Sequence, residues 1–170
     1  MLKPQDIVVI TKILAKGERE WAQGSLAHEL GMSPSEVNAG IKRACHAKLL
    51  RRKDNKVLPV RKSIEEFLVH GLKYVFPAER GEPTRGIPTA YASPFFQDVL
   101  LQDAELPPVW PDAEGEVKGY ALNPLYKCVP FAVKQDQGLY QYMCIIDALR
   151  SGRVREVNAA KKLLQKALAD

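Results

Sequence analysis

Cysteine is scarce in this chain: three among 170 residues, unevenly spaced at Cys45, Cys128 and Cys144. So few, so placed, suggest no disulfide framework, and the N-terminal Met-Leu-Lys-Pro-Gln-Asp lacks the apolar core of a secretory signal, so the expected compartment is the cytoplasm. Long hydrophobic runs are missing as well. None approaches the roughly 20 residues that a membrane span needs, and no membrane partner is expected. His28, His46 and His70 lie in separate segments without Cys-x-x-Cys or His-x-x-x-His spacing, so no metal site is assigned. Cys45 and His46 are neighbours, and on a helix neighbours point about 100° apart, against a shared metal or a catalytic dyad. The Gly81-Glu-Pro-Thr-Arg-Gly86 turn lacks the Gly-Lys-Ser/Thr ending of a phosphate loop. Asp103, Glu105, Asp112 and Glu114 have no spacing that makes an acid–base pair. Nothing here argues for an enzyme or names a cofactor.

What the chain does have is positive charge in one place. The formal net charge is +5, but residues 1–62 carry +7 and residues 63–170 carry −2. Between residues 42 and 62 nine Lys and Arg face Asp54 alone. Charge concentrated in this way is the electrostatic footprint of phosphate binding, whereas the same charge spread evenly would read as a solvated face.

The local pattern under that charge is specific. Ile7, Ile10, Ile13 and Leu14 repeat at helical spacing in a first helix expected over residues 3–16, ended by Gly17. Leu26, Ala27 and Leu30 make the stripe of a short second helix that Gly31 can end. Ser33-Pro34-Ser35-Glu36 then reads as a complete helix start, with Ser33 as N-cap, Pro34 at the first position and Glu36 closing a capping box. Over residues 34–49, Val37, Ile41, Ala44, Cys45 and Leu49 are expected inside, leaving Ser35, Asn38, Ala39, Lys42, Arg43 and His46 outside. Two short strands follow around an Asp54-Asn55 turn, with Leu49-Leu50 and Val57-Leu58 expected to pack one face and Arg51, Arg52, Lys53 and Lys56 to project. Ser63 is expected to open a further helix to about Tyr74, with Phe67, Leu68, Leu72 and Val75 as its apolar face.

The Leu-Ala-His-Glu-Leu-Gly-Met-Ser-Pro-Ser-Glu-Val stretch at 26–37 and the Lys-Leu-Leu-Arg-Arg-Lys-Asp-Asn-Lys-Val hairpin at 48–57 carry a resemblance. Residues 3–75 resemble the winged helix-turn-helix domains of small bacterial transcriptional regulators, MarR-like in the broad sense. The resemblance implies that the helix opening at Ser33 is a recognition helix for the DNA major groove, with Ser35, Asn38, Lys42 and Arg43 facing it. It also implies a hairpin wing contacting DNA through Arg51, Arg52 and Lys53, with Lys56 beside them.

The remainder is read more coarsely. Prolines 77, 83, 88, 94, 107, 108, 111 and 124 crowd the middle of the chain, and Phe95, Phe96, Trp110 and Tyr120 among them need burial. Residues 76–123 are therefore expected to be a Pro-rich arm packed on the molecule: extended or turn-like over 77–94, a short helix from Ser93-Pro94 bearing Phe95, Phe96, Val99 and Leu100, a polyproline-type segment over 106–111, and a strand over 116–122. Residues 124–170 read as a helical hairpin, with stripes at Leu139, Met143, Ile146, Leu149 and at Val154, Val157, Ala160, Leu164, Leu168, broken at Ser151-Gly152.

The expected fold class is thus mainly α: a winged helix-turn-helix of three helices plus hairpin (1–75), a Pro-rich arm (76–123) and a C-terminal helical region suited to dimerisation (124–170). The expected function is sequence-specific binding of double-stranded DNA as a homodimeric transcriptional repressor or autoregulator. The alternative is an adaptor or antitoxin-like module that engages a protein partner through residues 77–111.

Overall fold

The computed structural model describes residues 1–97 and 106–169. Val99, Leu100, Asp103 and Glu105 lie outside them. Helix α1 (Pro4–Lys16) runs through the middle of the core, and every residue from Asp6 to Leu14 is buried. Helices α2 (Gln23–Leu30) and α3 (Pro34–His46) pack on it, joined through Gly31, whose φ of 69° ends α2 in the left-handed region. Strands β1 (Leu50–Lys53) and β2 (Lys56–Pro59) form an antiparallel hairpin, and α4 (Arg61–His70) and α5 (Leu72–Val75) follow. The middle of the chain folds as strands β3 (Arg80–Pro88), β4 (Pro108–Pro111) and β5 (Val117–Leu122). Helices α6 (Val129–Val133), α7 (Gln137–Ser151) and α8 (Val154–Ala169) complete a mainly helical protein. No helix among the described residues is long and apolar enough to cross a membrane.

One apolar cluster draws on all three sequence segments, from Ile7, Leu26 and Ile41 through Phe96 and Trp110 to Ile146, Leu164 and Leu168. Leu139, Met143, Ile146 and Leu149 are buried on α7 and Ala160, Leu164 and Leu168 on α8, as their period requires. Val154 at the start of α8 is exposed and Val157 only half-buried, so the second stripe covers only the later turns of that helix.

Several elements depart from the sequence reading. Helix α3 stops at His46 rather than 49, because Ala47, Lys48 and Leu49 donate their backbone N–H groups back to Arg43, Cys45 and Ala44. Lys48 then takes φ 64° to leave the helix, a position where glycine is the usual choice. Helix α4 begins at Arg61 rather than Ser63 and breaks at Gly71, leaving Val75 half-exposed instead of on an apolar face. Register pairs Leu58 with Arg51 and Val57 with Arg52. Leu58 therefore points to the opposite side of the hairpin from Leu50 and Val57, since strand side chains alternate.

The Pro-rich arm is packed, but as a small sheet and not as polyproline. Trp110 pairs with Ile87, and β3 is antiparallel to both β4 and β5, which meet each other in parallel. Proline loses only its N–H. The carbonyls of Pro107 and Pro108 still accept from Tyr120 and Thr89, and Pro83 sits at a register irregularity in β3 where a ladder donor is not required. Ser93-Pro94 opens only a short 3-10 turn over Pro94–Phe96 within the described residues. Asp147 of α7 anchors the sheet to the helices. It is buried and accepts from Thr89 Oγ1 at 2.7 Å, Trp110 Nε1 at 2.8 Å and Arg150 Nη2 at 3.0 Å.

Candidate nucleic-acid interface

The start of α3 is built by its own four residues. Ser33 Oγ accepts from the Glu36 N–H at 3.1 Å, while the Ser33 N–H donates back to Glu36 Oε2 at 3.4 Å. These reciprocal bonds satisfy two of the donors that a helix start leaves open, and Pro34 has no donor to satisfy. The cap fixes the rotation of α3. Val37, Gly40, Ile41 and Ala44 are buried against the other helices. Ser35, Lys42 and His46 emerge exposed on the opposite side, with Asn38 and Ala39 half-buried at its edge.

The hairpin continues this surface. Asp54 and Asn55 both have positive φ, 52° and 63°, which is the signature of the tight two-residue turn matched to strand twist. Arg51, Arg52, Lys53 and Lys56 are all exposed around it. Lys48 adds a further exposed cation between helix and hairpin. None of Lys42, Lys48, Arg51, Arg52, Lys53 or Lys56 takes part in an ion pair among the described residues.

Arg43 is placed differently. Its Nε reaches Asp6 Oδ2 at 2.7 Å and its Nη2 reaches Asp6 Oδ1 at 2.8 Å, a bidentate fork. Asp6 is fully buried and also accepts the backbone N–H of Lys3 at 2.8 Å. The Asp6 carboxylate raises the Arg43 pKa further above its ordinary value. Arg43 thus lies on the flank of α3, where it ties that helix to α1. Gly40 allows the approach, since a Cβ there would stand 3.0 Å from Asp6 Oδ1.

No protein-family model, curated protein or solved structure matches the chain. Around the interface, the buried cations are matched with carboxylates. Lys12, 2% exposed, bonds Asp136 Oδ2 at 2.7 Å and lies 3.4 Å from Glu29, which Lys16 also holds at 2.9 Å. Cys128 and Cys144 are buried thiols, and burial first of all pushes the Cys128 thiol up to about 11 and Cys144 higher still, away from a reactive thiolate. No group of three or more His, Cys, Asp or Glu among the described residues could hold a metal.

Of the eight residues that the sequence singles out, Ser35, Lys42, Arg51, Arg52, Lys53 and Lys56 are exposed and Asn38 is half-buried, with Arg52 on the opposite side of the hairpin from Arg51, Lys53 and Lys56; Arg43 is turned to Asp6. The role of Asp6 had only a weak signal, an acidic residue in the first turn of a helix. Lys12 had one too, as a lone cation inside the Ile/Val run of α1.

Proposed function

We propose that residues 1–75 act as a winged helix-turn-helix that binds duplex DNA, with α3 entering the major groove and the β1–β2 hairpin lying along the backbone. The carrying observation is a set of six exposed cations, Lys42, Lys48, Arg51, Arg52, Lys53 and Lys56, that have no carboxylate partner among the described residues, while the buried Lys12 and the flanking Arg43 are both paired. Unneutralised cations in a cluster are repulsive in the free protein and gain most from a polyanion, whose condensed counterions they release. Short side chains at Ser35 and Ala39 allow the α3 backbone to come near base edges, and the longer Lys42 reaches flanking phosphate. The reading extends to a homodimer acting as a transcriptional repressor or autoregulator. One helix and one wing cover only a short stretch of duplex, and two copies with helices about 34 Å apart would meet successive major grooves.

Selection from a random duplex pool, followed by gel shifts at two salt concentrations, tests this. The chain retards duplex DNA, and replacing Lys42, Arg51, Arg52 and Lys53 by Ala together weakens binding. The same variant flattens the slope of log affinity against log salt by roughly 0.9 for each phosphate no longer neutralised. Equal retardation by the quadruple variant, or no selected sequence, would overturn the reading.

A further inference from the structure

A second feature of the hairpin points to a protein ligand. A groove of about 740 Å³ runs beside β2, between it and the α1–α2 connection, a volume in the range of ligand clefts. Strand β2 has β1 as its sole strand neighbour among the described residues. In a two-residue hairpin the pairs nearest the turn exchange both backbone bonds, here Lys53 with Lys56 and, two residues on, Arg51 with Leu58. The N–H and C=O of Val57 and the C=O of Pro59 consequently point away from β1. That is an open strand edge of about 13 Å, which natural proteins usually blunt or use.

The lining gives the occupant its character. Trp21 is half-buried there, and Arg51, Arg52, Lys56 and Arg61 border the groove against the carboxylates of Glu18 and Glu20. We propose that the groove receives an extended acidic peptide segment of a partner protein, which adds to β2 as a third strand. Its backbone bonds the Val57 N–H and C=O, and its carboxylates meet the bordering cations, the chemistry of strand addition with charge complementarity. A phosphodiester offers acceptors but no donor for the outward carbonyls of Val57 and Pro59, which favours a polypeptide over nucleic acid. The inference shares Arg51, Arg52 and Lys56 with the proposed DNA contact, but it rests on the backbone edge of β2, which that contact does not use.

The test titrates an end-capped peptide of alternating Val and Glu into the full ¹⁵N-labelled chain and follows the backbone amides. Saturable binding that moves the Val57 amide is expected, weakened about tenfold or more in both Val57→Pro and Lys56→Glu. A peptide of alternating Val and Lys should not bind. Val57→Pro removes an outward donor and no β1–β2 bond, and Lys56→Glu alters an exposed side chain, so at least one variant reports on a folded protein. Absence of saturation at ~1 mM, equal binding of the Lys peptide, or binding that leaves Val57 unmoved would each overturn the proposal. So would a random duplex that moves Val57 where the acidic peptide does not. Gel shifts on Val57→Pro separate the two readings, because loss of peptide binding with retained DNA retardation bears on this one alone.

Discussion

Arg43→Ala and Lys42→Ala are adjacent substitutions on one helix, and the structure assigns them opposite consequences. Arg43 gives two short charge-assisted bonds, 2.7 and 2.8 Å, to a carboxylate that is 0% exposed. Removing it leaves the buried Asp6 carboxyl held, among the described residues, by the Lys3 N–H alone. Breaking a buried ion pair from one side costs about 3–5 kcal/mol, well above the pair's net worth, because the remaining charge stays desolvated. For a chain of this length each kcal/mol moves the melting point by roughly 2–4 °C, so Arg43→Ala should melt about 10 °C lower. Lys42 is exposed and in no ion pair among the described residues. Its replacement should change stability by less than about 0.5 kcal/mol while weakening DNA binding. Urea denaturation followed by far-ultraviolet circular dichroism, beside gel shifts on both variants, measures the contrast. Asp6→Leu with Arg43→Met should recover most of the lost stability, since apolar replacement of both partners is often neutral. An Arg43→Ala variant as stable as the parent would refute the reasoning, as it would mean that Asp6 is not held by this fork.

Three further outcomes follow from other parts of the molecule. Burial alone would raise the Asp136 carboxyl, but Lys12 and the Leu139 N–H hold it below its ordinary value. A carboxylate depressed in the folded state gives stability above its unfolded pKa of about 4 that is lost as pH falls through the folded value. Thermal melts at neutral pH and at ~pH 3 should therefore show a smaller acid loss in Asp136→Asn than in the parent. Gly86→Ala should cost more than about 4 kcal/mol, because its Cβ would fall 1.9 Å from the Trp110 carbonyl oxygen across the β3–β4 pair; near-ultraviolet dichroism of the buried Trp110 should report the loss. Lys48→Gly should stabilise by about 0.5–1 kcal/mol in urea melts, since φ 64° strains a residue with a Cβ and not glycine.

Interactions between near neighbours in the chain were legible without coordinates. The capping box at Ser33–Glu36, the Asp54-Asn55 turn, the stripes of α7 and α8 and the exposure of Lys42 and the hairpin cations follow from residues within a few positions of one another. Their geometry is set by backbone stereochemistry and helical or strand period. Tertiary structure alone decided which polar groups were spent on holding the fold. The Arg43–Asp6 fork joins residues 37 apart, Thr89–Asp147 58 apart and Lys12–Asp136 124 apart. No local rule says which carboxylate will be buried beside which cation. The Pro-rich arm became a sheet for the same reason: its prolines keep acceptor carbonyls, and the donors that use them arrive from distant strands. Local sequence thus placed a cationic surface on α3 and the hairpin, and packing withdrew Arg43 from it, because a desolvated carboxylate binds a neighbouring guanidinium more strongly than water does.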